Sequence, residues 1–245
     1  MSSINAIPEI VRVTLRQLMG RRRTIWLLLL AALPVLLALL FRIAGRTEIE
    51  PFTRVVFDTI AMTILMPFVA ILFGSGAFGA EIDDGTIVYL LAKPVPRWMV
   101  VLAKAIAVIT VSIALSGTSI AVAGAIDLAP IGEEGLKAAE AQVLAIVVGS
   151  VCYASLFLAV SLFTRRALVI GVGYMLVWEG ALSFMLPGIA NLSIRQYALG
   201  AANAIYTLPV QESRLSSDTA FILAGVLVAV SLSLAVWRLM RFELP

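Results

Sequence analysis

The chain has 245 residues, 61% of them hydrophobic and only 13% charged, with a net charge of +3 and a mean hydropathy of +1.04. Soluble domains carry roughly 45–50% apolar and about 25% charged residues, so this chain has too little polar surface to stand in water and reads as an all-α integral membrane protein. It has no His, a single Cys (Cys152), and three Lys, at positions 93, 104 and 137, none of which follows a Gly. That excludes His-dependent triads and zinc-hydrolase motifs, an intramolecular disulfide, and the G-x-x-x-x-G-K-[ST] loop with which a chain binds ATP by itself.

In chain order, residues 4–19 come first. Ile7, Ile10, Val11, Leu15 and Leu18 recur at helical spacing with Glu9, Arg12, Arg16 and Gln17 between them, which predicts an amphipathic helix lying in the membrane interface. It is read either as a basic anchor or as a helix that also touches a cytoplasmic partner. Six apolar segments follow that are long enough to span: about 24–43, 57–79, 105–126, 143–163, 167–186 and 220–240. The first is too long, and lacks the small-residue cleavage site, for a removable signal, so it is expected to be a permanent helix. Pro34 and Pro67 can kink their spans, and the kinks read either as hinges or as a fit to packing, with packing the favoured reading. Thr164, Arg165 and Arg166 alone divide the fourth and fifth spans, which predicts a tight hairpin. Trp26, Trp98 and Trp237 fall where an aromatic belt is expected. The outer segment 127–140 predicts a separate short helix. The apolar stretch 197–206 (YALGAANAIY) is too short to cross, so it either dips into the outer leaflet or packs on top of the bundle. The chain reads as one membrane domain, 1–245.

Charge orients these spans. With the N-terminus inside, twelve Lys and Arg fall on the inner side and six on the outer side. The positive-inside rule then puts both termini in the cytoplasm, as an even number of spans requires.

The stretch 74–104 (GSGAFGAEIDDGTIVYLLAKPVPRWMVVLAK) lies on the inner side between the second and third spans. Gly74, Gly76 and Gly79 are expected to let backbones approach closely. Glu81, Asp83 and Asp84 precede Gly85-Thr86 and a run in which Ile87, Leu90 and Leu91 share a face, and the run must stop before Pro94. The reading is a two-turn cytoplasmic helix with acids at its start, where they complement the helix dipole, and an apolar side that needs a protein to cover it.

The pattern Glu81, Gly85-Thr86, Tyr89-Leu90-Leu91, Lys93-Pro94-Val95 and Arg97, with Lys104 entering the next span, resembles the intracellular loop of ABC type-2 permeases. It is most similar to the subgroup of gliding-motility and nitrous-oxide-reductase maturation permeases. The specific match covers about 25 residues, but the whole layout fits.

The resemblance implies the membrane half of an ATP-driven exporter in the plasma membrane of a prokaryote. It implies two separate ATP-binding subunits, which carry the ATP and Mg, and a second permease copy or a related permease chain. This chain would hold no cofactor, and no nucleic acid is a partner. The loop helix would be the coupling helix, carrying Glu81, Asp83, Asp84, Gly85, Thr86, Ile87, Tyr89, Leu90, Leu91, Pro94 and Arg97. Arg12 and Arg16 on the first helix, and Arg165 and Arg166 in the hairpin turn, would add further ATPase contacts. Glu81→Ala is then expected to leave the chain folded but uncoupled, whereas the solvated-cap reading of Glu81 expects no effect.

Glu179 reads as the one acid within a span, with Ser183 a turn away. A carboxylate there must face protein or water. It is structural and hydrogen-bonded, or lies on the substrate path or dimer seam, or couples protons. Cys152 reads as a small core residue. The competing class is a stand-alone secondary transporter or channel, which needs more ionisable groups in its spans than Glu179. An intramembrane enzyme lacks any nucleophile–base or metal constellation.

Overall fold

The computed structural model describes residues 6–20, 23–45, 48–87, 95–182, 191–208 and 215–241. Among these residues there are only helices and turns, and five helices are long and apolar enough to cross a membrane. We number them α1 (Ala6–Met19), α2 (Arg23–Ile43), α3 (Ile49–Asp83), α4 (Arg97–Ile131), α5 (Glu133–Phe163), α6 (Ala167–Gly173, continued by a π-helical stretch Tyr174–Leu182), α7 (Ile194–Ala202) and α8 (Ser217–Met240). The fifth predicted span, 167–186, coincides with α6 as far as Leu182, and its remainder lies outside the described residues; the sixth, 220–240, is α8.

The helices outrun the apolar segments that predict them. α3 begins eight residues before the predicted span and α4 begins at Arg97 rather than Ala105. The short helix expected within 127–140 is instead the first turns of α5. A 3-10 turn, Ala129–Ile131, and Gly132 at φ +112 reverse the chain, and Glu133 already starts the 31-residue helix. The reason is that hydropathy marks the part of a helix that suits lipid. The Ala-, Glu- and Lys-containing run 133–142 is polar yet helix-favouring, with Glu133 and Glu134 on the positive end of the dipole.

α5 is the centre of the bundle, contacting α3, α4, α7 and α8. α3 comes close to the α5 backbone at Gly74, where an added Cβ would meet Phe157 Cβ and the Leu158 backbone nitrogen at 3.1 Å and the Ala154 carbonyl at 3.2 Å. Gly79, expected to serve the same purpose, faces open space. Gly74→Leu is expected to cost about 1–3 kcal/mol through overpacking, whereas Gly79→Ala costs nothing. Thermal unfolding of the detergent-purified variants checks this, and a Gly74→Leu chain as stable as the wild type would contradict the close approach.

Burial separates core helices from peripheral ones. Of the apolar stretches, 56% of α3 and 61% of α4 and of α5 are buried, against 28% of α2 and 22% of α8. The latter two present Leu28, Leu29, Leu36, Leu40, Ile222, Val226 and Val230 outward. Surface of that kind and extent suits lipid or another membrane chain, not water.

α1 is amphipathic as expected, but its apolar side is turned onto α4 and the end of α3, with Thr14 and Leu18 buried. α7 answers the question left open by the sequence at 197–206. All of its residues are buried, and it lies against α5 and α8 with Ala198 beside Gly149, halfway along α5. It is inserted into the bundle rather than laid on top of it, and its Ala and Gly side chains permit that.

Candidate functional site

Five elements meet at the arginine-rich end of the bundle: α1, the end of α3, the start of α4, the α5–α6 turn and the end of α8. The organising contact there is an ion pair. Lys104 Nζ lies 2.7 Å from Glu81 Oε1 and donates to the Ala77 carbonyl at 2.5 Å. It also sits 4.6 Å above the centre of the Phe78 ring. Lys104 is 1% exposed and Glu81 15% exposed at the side chain. An ammonium has three donors and cannot be buried unpaired at reasonable cost; here a carboxylate, a carbonyl and an aromatic face take them up. α3 and α4 are therefore fastened together where both emerge from the bundle.

This arrangement corrects the expected position of Glu81. It sits in the last turn of α3, which runs to Asp83, and not at the start of the next helix; a three-residue turn, 84–86, intervenes before Ile87. Its partner is intramolecular. The acids therefore sit at the negative end of the α3 dipole, an unfavourable place that the Lys104 ammonium offsets for Glu81. The apolar continuity of 57–79 hid this, because the sequence alone gives no reason for the helix to continue through three acids.

The other predicted coupling residues divide clearly. Asp83, Asp84, Gly85 and Thr86 are exposed, with Gly85 at φ +68, a left-handed conformation that favours glycine. Thr86 Oγ1 donates weakly to the Glu81 carbonyl at 3.5 Å. Ile87 is buried in the core. Tyr89, Leu90, Leu91 and Pro94 lie outside the described residues. Thr14, Gln17, Leu18, Gly76, Glu81 and Asp84 line a cleft between α1 and the end of α3. Glu81 Oε2, buried, has no hydrogen-bond partner among the described residues. Arg12 and Arg16 are exposed on α1, and Arg165 and Arg166 are exposed in the hairpin turn.

Arg97 has a role the sequence did not suggest. Its Nη1 donates to the carbonyls of Leu239 at 2.8 Å and Met240 at 2.6 Å. Those are among the last carbonyls of α8, which have no intrahelical partner, and a guanidinium there also complements the dipole. The first residue of α4 thus holds the end of the last helix.

A second polar cluster lies at the other end of the bundle. Glu179 is buried and accepts hydrogen bonds from Tyr174 Oη at 3.1 Å, Ser193 Oγ at 2.6 Å and the Ile194 N–H at 2.9 Å, among others. Its carboxylate therefore sits on the N-terminus of α7, where Ser193 is also the cap. Ser183 lies outside the described residues.

One residue along, Arg195 is ion-paired with Asp58 and donates to Thr63 Oγ1 at 3.4 Å. Asp58 belongs to the π-helical part of α3, Thr53–Leu65, in which Thr59 and Thr63 donate to carbonyls five residues back. This wider winding ends next to Pro67, which has no N–H to continue it. Glu179 is thus not the one acid within a span. Asp58, half-buried, is a second, inside the predicted 57–79 segment, and Asp127 at the turn into α5 is a further acid that is buried.

With both clusters placed, the sequence can be compared with known families. The family model described as ABC-2 family transporter protein matches residues 19–179, well over half of the chain. The chain belongs to this ABC-2 transporter family. No curated protein matches it. The match runs from the end of α1 to Glu179, so it takes in the Glu81–Lys104 joint and most of the outer cluster of this ABC-2 chain, while α7 and α8 lie beyond it. Among the described residues no group of His, Cys, Asp or Glu is arranged to hold a metal ion.

Proposed function

We propose that this ABC-2 chain is the permease of an ATP-driven exporter, of the gliding-motility and nitrous-oxide-reductase maturation subgroup, in the plasma membrane of a prokaryote. It spans six times with both termini in the cytoplasm, and pairs with a second permease copy or a related permease chain. Two separate ATP-binding subunits carry the ATP and Mg. The observation that carries this is the family match, supported by a single basic end that gathers α1, the exposed turn 84–86, and Arg165 and Arg166.

In this reading the segment from Asp83 to Arg97 seats in a groove of the ATPase, with Tyr89, Leu90, Leu91 and Pro94 forming its body, while Ile87, expected to share that face, is buried in the core of this chain and anchors the segment to it. Arg12, Arg16, Arg165 and Arg166 meet acidic rims beside it. Glu81 does not dock by itself; with Lys104 it transmits movement of the loop to α3 and α4 together, while Arg97 carries it to α8. At the opposite end, Glu179 and Ser183 border the substrate path where α7 closes it. A stand-alone ion-coupled transporter would use acids free to exchange partners; Glu81 and Asp58 are ion-paired and Glu179 is hydrogen-bonded, which leaves Asp127, at the turn into α5, as the buried acid without a hydrogen-bond partner among the described residues.

Pull-down of the ATPase tests the docking surface. Asp84→Lys and the double variant Arg165→Glu/Arg166→Glu change exposed charges and should leave thermal stability unchanged, yet each should weaken ATPase binding about fivefold to tenfold. Wild-type binding by both would return these charges to the role of a solvated turn. Cysteine labelling in a Cys152→Ala background tests the orientation. Lys137→Cys, on an exposed face of α5, should be reachable from outside, and Asp84→Cys only from inside. Gly135 would be a poor probe, because a Cβ there would collide with the Leu128 carbonyl.

A further inference from the structure

An apolar groove runs between α4 and α8 on the surface of the arginine-rich end. Val101 and Leu102 of α4 form one wall, and Leu232 and Val236 of α8 the other. Trp98, in the first turn of α4, and Trp237, in the last turn of α8, close its outer end, the two residues 48% and 42% exposed. Exposed tryptophans at helix ends mark the depth at which headgroups give way to acyl chains. The remaining lining, one to two turns deeper on each helix, is then at acyl-chain depth.

Charge at the tryptophan end is positive. Arg241, exposed just past α8, lies with its guanidinium carbon 4.4 Å over the Trp237 ring. It falls one turn beyond Trp237, on the same helix face as the groove. Arg97 adds a second guanidinium beside Trp98, fixed on the Leu239 and Met240 carbonyls. No carboxylate lines the groove among the described residues. An apolar slot with aromatic shoulders and cationic groups at its wet end is complementary to one class of molecule: a diacyl lipid with a negative headgroup.

We propose that this groove is a binding site for an anionic phospholipid, with one acyl chain between α4 and α8 and the phosphate on Arg241. Nothing in this assignment depends on the ATPase reading. The bound lipid bridges the same two helices that Arg97 joins.

The test is native mass spectrometry of the full chain, purified free of lipid and titrated with phosphatidylglycerol or with phosphatidylcholine of the same chain length. The wild type should bind phosphatidylglycerol at least about fivefold more tightly, the factor that one arginine near an anionic headgroup supplies. Arg241→Gln should abolish that preference. Ser233→Trp fills the groove from an exposed position of its lining and should reduce binding of both lipids about tenfold or more. Equal binding of the two lipids by the wild type, or wild-type phosphatidylglycerol binding by either variant, overturns the site. So does efficient disulfide formation between two Ser233→Cys chains, because the groove would then be covered by a second copy.

Discussion

Glu81→Ala is expected to lower the stability of the purified chain by about 3–5 kcal/mol, the cost of leaving one member of a buried ion pair without its partner. Lys104 is the deeper member, 1% exposed against 15% for Glu81. Its other neighbours, the Ala77 carbonyl and the Phe78 ring, cannot neutralise it. In a chain of this size the midpoint of thermal unfolding should fall by roughly 6–12 °C or more. Lys104→Met should cost less, because the carboxylate it abandons lines a cleft at the rim of the bundle and can recruit water. The double variant Glu81→Gln/Lys104→Met should recover most of the loss, since replacing both partners removes the desolvation penalty along with the attraction. A Glu81→Ala chain of wild-type stability would show that the pair is not formed. This cost also makes Glu81→Ala a poor probe of ATPase coupling, because assembly would be lost together with stability; the exposed Asp84 is the better probe.

The outer cluster is expected to respond as strongly. Asp58→Ala removes the carboxylate that pairs with the Arg195 guanidinium, 7% exposed at the side chain, while Thr63 Oγ1 remains as a neutral acceptor. A loss of about 3–5 kcal/mol follows. Arg195 lies in the first turn of α7, so the damage should be local as well as global, and amide hydrogen exchange in 194–202 should rise before exchange in α5 does. Glu179→Gln acts on the same helix but more gently. An amide keeps one acceptor for the Ile194 N–H and Tyr174, while its NH2 group faces the Ser193 hydroxyl, which can turn to accept. About 1–2 kcal/mol is expected, with assembly preserved. Unchanged exchange in α7 on replacing Asp58 would separate the ion pair from the placement of this helix.

These effects show which parts of the molecule could be read from its sequence. The apolar spans, the amphipathic α1 and the hairpin at Thr164–Arg166 were legible because each is written in consecutive residues. The pairings were not. Asp58 and Arg195 are separated by 137 positions and Arg97 and Leu239 by 142, and no local period links such residues. Lys104 looked like a boundary marker because hydropathy ends a span at the first charge, although a charge with a partner can continue into the bundle. Glu81 was singled out correctly as unusual, but only the fold shows that the lysine on the neighbouring helix explains it. The π-helical winding of α3 and α6, which brings Asp58 and Glu179 toward α7, has no signature in either apolar stretch.

The assignment as a permease powered by another chain is tested most directly by purifying the tagged wild-type chain from its native membrane, in a mild detergent, and measuring the mass of the intact assembly. The expected result is two permease chains bound to two ATP-binding subunits, with ATP turnover by the complex. A stable single chain with no ATP-binding subunit, under conditions in which Glu81 and Lys104 remain paired and the chain is folded, would contradict it.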